Sequence, residues 1–187
     1  MVKPDLRFEK TEKAIQDAFL QLLMAKEFTK ISVKEICENA QISRNAFYQH
    51  YETKEHLYQA IQTDILLAME DACRPVVDDL ANISEAENRQ FLDNILIAVN
   101  QHKDKIHRLL CSQPAYFSLA FRDMLIKAII KSSQQFANPI NLAFIHIFSG
   151  AVASFVSYWL LETDLTLLEA QEQISSILKN WVHSYSF

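Results

Sequence analysis

One glycine serves the whole 187-residue chain, and only four prolines accompany it. Glycine enters left-handed backbone at no steric cost, so it marks the tight turns that a folded chain requires. With a single glycine few turns of positive φ can exist, and the composition predicts a nearly all-helical protein. Half of the residues are hydrophobic, which suits one compact unit or two small domains sharing a surface.

Hydrophobic periodicity and capping signals divide the chain into nine helices. The first spans about Leu6 to Ala25, with Ile15, Ala18, Phe19, Leu22 and Leu23 on one stripe. Two short helices follow between residues 31 and 54. Ser32 with Glu35 forms a capping box for one of them, and Ser43 caps the other. Thr53 opens a longer helix from Lys54 into the mid-70s, where Pro75 ends or bends it. Ser84 with Glu87 opens a helix to about Asn100; a short one carrying Ile106, Leu109 and Leu110 ends before Pro114. Another runs from Ala115 to about Phe136. Asn138-Pro139 reads as a cap followed by proline at the first helical position, starting a helix that reaches Glu162. Thr166 with Glu169 opens the last helix, which ends near Ser184.

The two short helices carry the functional signal. Ile36, Ala40, Ile42 and Phe47 fall where crossed helices bury a shared face. Arg44, Asn45, Tyr48, Gln49 and His50 are left outward on the second helix, a set rich in donors and free of acids. Base edges and phosphates mostly accept hydrogen bonds, so a helix with this face suits the major groove. An Arg fork matches guanine and an Asn amide matches adenine, which assigns Arg44 and Asn45 to base edges. Ser32, Lys34 and Ser43 belong near the DNA backbone by the same reading, since helix N-termini favour anions.

The run Phe47-Tyr48-Gln49-His50-Tyr51, followed by Lys54 and Leu57, resembles the signature of the TetR family of transcriptional regulators. Thr11, Ile15, Ala18, Phe19, Leu22, Leu23 and Phe28 match the helix that precedes it in that family, so the resemblance covers roughly residues 8 to 60. It implies a helix-turn-helix DNA-binding domain over residues 1–53, with three helices, and a helical effector-binding and dimerisation domain over 54–187. It also implies phosphate contacts from Tyr48 and Lys54. Gln41 stands where the family's inter-helix turn usually has glycine, and Lys26 and Glu27 stand where glycine often follows the first helix.

The charge is informative once divided. Residues 1–57 hold nine Lys or Arg against nine Asp or Glu, net zero; residues 58–187 hold nine against fourteen, net −5. An acidic whole argues against indiscriminate coating of nucleic acid. A local basic surface from Lys10, Lys26, Lys30, Lys34, Arg44 and Lys54 would suffice for a specific reader. Cys37, Cys73 and Cys111 are odd in number and far apart, as in reduced thiols of a cytoplasmic protein. The N-terminus has no apolar stretch, and the most apolar run, Ile140 to Leu161, carries Asn141, His146 and three serines, which suits a bundle helix.

Enzyme readings find little support. One glycine cannot build a phosphate-cradling loop, no Cys-x-x-Cys or His-Glu-x-x-His occurs, and His102 and His107 are splayed by their spacing of five. No cofactor or metal is expected.

The expected function is therefore a sequence-specific DNA-binding regulator, a ligand-released repressor acting as a homodimer on an inverted-repeat operator. The resemblance places the dimer on the last two helices, where Gly150, Ala153, Ser154, Ser157, Trp159, Ile174, Leu178 and Trp181 supply small and apolar surface. It also implies a small-molecule pocket, for which Phe91, Asn94, His107, Tyr116, Phe117, Phe121, Phe144 and His146 are candidates. Two alternatives differ in class: a regulator switched by a protein partner through its C-terminal domain, and an enzyme that retained a DNA-binding domain.

Overall fold

The computed structural model describes residues 6–73, 84–133 and 141–184, with side chains of the last helix as far as Ile177. Among these residues it holds nine α-helices and one short 3-10 turn. In order they are α1 (Leu6–Ala25), α2 (Val33–Ala40), α3 (Arg44–His50), α4 (Lys54–Met69), α5 (Glu85–Gln101), α6 (Lys103–Ser112), α7 (Pro114–Ser133), α8 (Leu142–Glu162) and α9 (Leu167–Ser184), with the 3-10 turn at Phe28–Lys30. No strand occurs among the described residues, so the all-helical reading holds.

Local chemistry sets most of the helix starts. Ser32, Ser43, Thr53 and Ser84 each accept a hydrogen bond from the backbone N–H three residues on. At Ser32, Ser84 and Thr166 a glutamate reaches back to the cap's own N–H, closing reciprocal capping boxes. Proline opens α7 at Pro114, one residue earlier than expected, in a position where its missing N–H costs nothing. The start of α8 is a correction. Asn141, not Asn138, is its cap, with Oδ1 accepting from Ala143 and Phe144 N–H. Asn138, Pro139 and Pro75 lie outside the described residues.

The apolar stripe of α1 is buried at Ile15, Ala18, Phe19, Leu20 and Leu23. It packs on α2 and α3 through Ile36, Cys37 and Phe47, and on α6. Arg108 of α6 donates to the Leu20 carbonyl of α1 at 3.2 Å. From the same side α4 is tied to the C-terminal helices: Tyr58 donates to the Leu109 carbonyl at 3.4 Å, and Gln59 donates to the Tyr116 hydroxyl at 3.1 Å. One continuous core therefore runs from the first helix to Ile174.

α8 is 21 residues long and apolar enough, by length and composition, to cross a membrane, yet half of that window is buried inside the protein. Trp159 lies fully buried and donates its indole N–H to the Leu165 carbonyl at 2.9 Å.

Candidate nucleic-acid interface

α3 is placed by the residue beneath it. Phe47 is wholly buried, with Tyr48 and Tyr51 rings edge-on and tilted against it. Arg44, Asn45, Tyr48 and Gln49 are exposed on the opposite side. The turn before α3 is closed at Gln41, which adopts φ 55° and ψ 43°. Its left-handed backbone lets Ile42 N–H reach the Cys37 carbonyl at 3.0 Å, the bond that ends α2 and aims the chain into α3. Gln41 is the one non-glycine residue of positive φ among those described, so Lys26 and Glu27 follow α1 without that strain.

The far end of α3 is fixed by α1. The Tyr51 hydroxyl accepts from Gln16 Nε2 and donates to Glu12 Oε1, each at 3.1 Å. Burial, followed by the neighbouring Glu12 and Asp64 charges, pushes the Tyr51 phenol up to about 12, so it remains a donor. His50 is half-buried and stacks on Phe8 with ring centroids 3.8 Å apart. Sequence reasoning missed Phe8, Glu12 and Gln16 as supports. A signal existed: positions 8, 12 and 16 share one stripe of a helix.

The expected basic surface is largely engaged within the protein. Lys26 pairs with Glu35, Lys30 with Glu27 at 3.2 Å and Lys34 with Glu38 at 3.7 Å. Lys54, expected at a phosphate, instead donates to the carbonyls of Phe28, Ile31 and Thr29 at 2.8, 2.7 and 3.2 Å. An ammonium has three donors, and all three are spent, with the charge also over the Phe28 ring. Ser32 likewise gives both its N–H and its hydroxyl to Glu35. Lys26 first, then Ser32, holds the Glu35 carboxyl down at about 2. By contrast, Arg44, Asn45 and Gln49 make no side-chain hydrogen bond or ion pair among the described residues. Ser43 keeps its hydroxyl proton, because its oxygen only accepts from Ala46 N–H.

The residues expected around an effector separate into two groups. Phe91, Phe117 and Phe121 are buried in ring stacks, Phe91 on Phe148 and Phe117 on Phe121. Tyr116, Phe144 and His146 are exposed, and His107 sits beside Cys111 on the surface of α6. Asn94 is half-buried on α5. A cavity of about 70 Å³ lies elsewhere, lined by Gln16, Ile61, Asp64, Ile65, His102 and Lys105 at the junction of α1, α4 and α6.

The expected dimer residues also divide. Ala153, Trp159 and Ile174 belong to the protein's own core, a correction to their placement on a free face. Ser154 is exposed, while Ser157 is half-buried and hydrogen-bonded to Ser118 at 2.7 Å. Gly150 is half-buried, and among the described residues a Cβ there would meet nothing within 4 Å, so none of them crowds it. The side chains of Leu178 and Trp181 lie outside the described residues.

Residues 15–61, which hold α2 and α3, match the family model for bacterial regulatory proteins of the tetR family. A TetR transcriptional regulator from Streptococcus agalactiae has a similar structure, with TM-score 0.63 and 25% identity over 92% of this chain and 95% of that one. The dihydroxyacetone kinase operon activator DhaS shares the fold at TM-score 0.58 and 16% identity, covering 93% and 94% of the two chains. An uncharacterised helix-turn-helix transcriptional regulator of Bacillus subtilis, YxbF, is 32% identical over 77 residues, 41% of this chain. The chain spans only 18% of that relative's length. With α3 carrying its donors outward on a buried Phe47, and with these likenesses, the chain carries the DNA-binding domain of the TetR family and has the fold of TetR transcriptional regulators.

Proposed function

We propose that the protein is a dimeric repressor that reads an inverted-repeat operator and is released from it by a small molecule. The observation that carries the DNA reading is the uncommitted donor face of α3, with Arg44, Asn45, Tyr48 and Gln49 exposed above Phe47. Residues 1–53 act as the reading domain and 54–187 as the regulatory domain, in the cytoplasm where the chromosome lies. The phosphate contacts come from Tyr48 and the Ser43 hydroxyl, since Lys54 is committed inside.

The dimer reading is supported by apolar surface on α8. Phe144, Ile147, Tyr158 and Leu161 are exposed at spacings that keep them on one side of the helix, with Ser154 between them. A second copy covering this face would set the two α3 helices on successive major grooves, about 34 to 36 Å apart or a multiple. The effector reading is supported by Gln62 Oε1 on α4 and Ser149 Oγ on α8, which are buried without a hydrogen-bond partner. Buried polar atoms without a partner suit a ligand with complementary polar groups. Coupling of about 1 to 3 kcal/mol between effector and DNA is typical of such switches.

Selection of bound sequences from random DNA by the purified chain tests the proposal. Enrichment of a two-fold symmetric site is expected; recovery of no preferred sequence would contradict it. Repression is chosen because a dimer seated on a promoter excludes polymerase. A reporter driven from the selected site should fall when the protein is expressed, and a rise would assign activation, as in the operon activator DhaS.

A further inference from the structure

The start of α1 and the end of α3 meet along one stripe. Phe8, Glu12 and Gln16, four residues apart, face His50 and Tyr51. Glu12 and Gln16 fix the Tyr51 hydroxyl, and Phe8 stacks on the imidazole of His50 with an interplanar angle of 28°. Phe8 does this while 46% exposed. Its position, two helical turns before the wholly buried Ile15, is therefore not one of deep core packing. The other observation concerns His50 itself. Its Nδ1 is buried and has no hydrogen-bond partner. Burying an N–H with no acceptor is costly, and a stacked ring cannot turn to find one. An unpartnered Nδ1 favours the lone pair there and the proton on Nε2.

We propose that Phe8 is a positioning residue for DNA recognition: by stacking on His50 it holds the imidazole in one orientation and one tautomer, so that Nε2–H donates to a backbone phosphate beside α3. The inference rests on the DNA reading above. It makes the first turn of α1, remote in sequence from α3, a part of the reading surface. A preset donor needs no reorganisation on docking, and fixing a side chain before binding removes an entropic cost of association.

The experiment uses the full chain and its selected operator, with wild type, Phe8→Ala, Phe8→Tyr, His50→Phe and the Phe8→Ala/His50→Phe double variant. Nitrogen-15 NMR of the free wild-type protein should show His50 as a single Nε2–H tautomer, and Phe8→Ala should average the two tautomers. Fluorescence anisotropy should give about five- to tenfold weaker operator binding for Phe8→Ala, the loss expected for one hydrogen bond. The salt slope should fall by about 0.9, the value of one phosphate contact. Phe8→Tyr, which keeps the ring, should restore both, and Phe8→Ala should add nothing in the His50→Phe background. The proposal is overturned by a wild-type Nδ1–H or mixed tautomer in the free protein. It is also overturned if Phe8→Ala binds operator as wild type does, or weakens binding equally without His50. Failure of the DNA reading is distinguished by a wild-type chain with the Nε2–H tautomer that selects no sequence; that result removes the phosphate and so overturns the proposal too.

Discussion

Lys54 Nζ lies 2.7 Å from the Ile31 carbonyl oxygen, and this bond ties the first turn of α4 to the segment that leads into α2. Two further carbonyls, of Phe28 and Thr29, share the same ammonium. The side chain thus joins the segment before α2 to the start of α4. Replacing Lys54 with Met leaves these acceptors without their charged donor, at a cost of about 1 to 3 kcal/mol. Urea unfolding should show this loss. The salt slope of DNA binding for the folded fraction should stay that of wild type, whereas a phosphate-contacting lysine would lower it by about 0.9.

Glu35 links stability to acid. Its carboxyl is held at about 2, against an ordinary 4.5, chiefly by Lys26 and then by Ser32. A carboxyl whose folded pKa lies below its unfolded value stabilises the fold above the unfolded pKa and loses that contribution as pH falls through the folded one. Urea midpoints measured from pH 6 downward should therefore fall more steeply for wild type than for Glu35→Gln between about pH 4.5 and pH 2. The difference should shrink in high salt, since the Lys26 pair is partly exposed.

Gln41 sits in left-handed backbone at φ 55°. Glycine enters this region freely, and a β-branched residue enters it with difficulty. Gln41→Gly should stabilise the protein by about 1 kcal/mol and Gln41→Val should destabilise it by at least as much, read from thermal unfolding.

Gly150 presents the opposite case, a glycine with ordinary helical backbone and open space where a Cβ would stand. Gly150→Ala should add about 1 kcal/mol to the stability of the helix, measured by urea unfolding. Sedimentation of the same variant reads the dimer: an unchanged assembly is expected if the partner covers α8 along Phe144, Ile147 and Tyr158. Ile147→Glu, on that exposed face, should yield monomers.

How far these features were legible in the sequence follows from the range of the interaction behind each. The capping boxes at Ser32, Ser84 and Thr166 were readable because cap and glutamate are three residues apart. So was the buried Phe47, by its phase against Arg44, Asn45 and Tyr48. The Asn138-Pro139 pair drew the expected start of α8 too early, since the side chain that caps the helix is that of Asn141. The Phe8–His50 stack and the bonds of Lys54 join residues more than twenty positions apart, where local pattern carries no information. α8 is apolar on every side, so periodicity could not separate the face of Trp159, which is core, from that of Ile147, which is surface. Pocket residues were illegible for a related reason: an aromatic that stacks in the core, as Phe117 does on Phe121, has the same sequence signature as one lining a cavity.

Arg44 concentrates the account, because it is exposed at the first position of α3 and makes no ion pair among the described residues. The most direct measurement is an anisotropy titration of the selected operator and of a scrambled duplex with wild type and Arg44→Ala, each confirmed as folded by its thermal transition. The account predicts that wild type prefers the operator, and that Arg44→Ala loses about 1 to 3 kcal/mol of that preference while unfolding at the wild-type temperature. Equal operator affinity in the two proteins would contradict it.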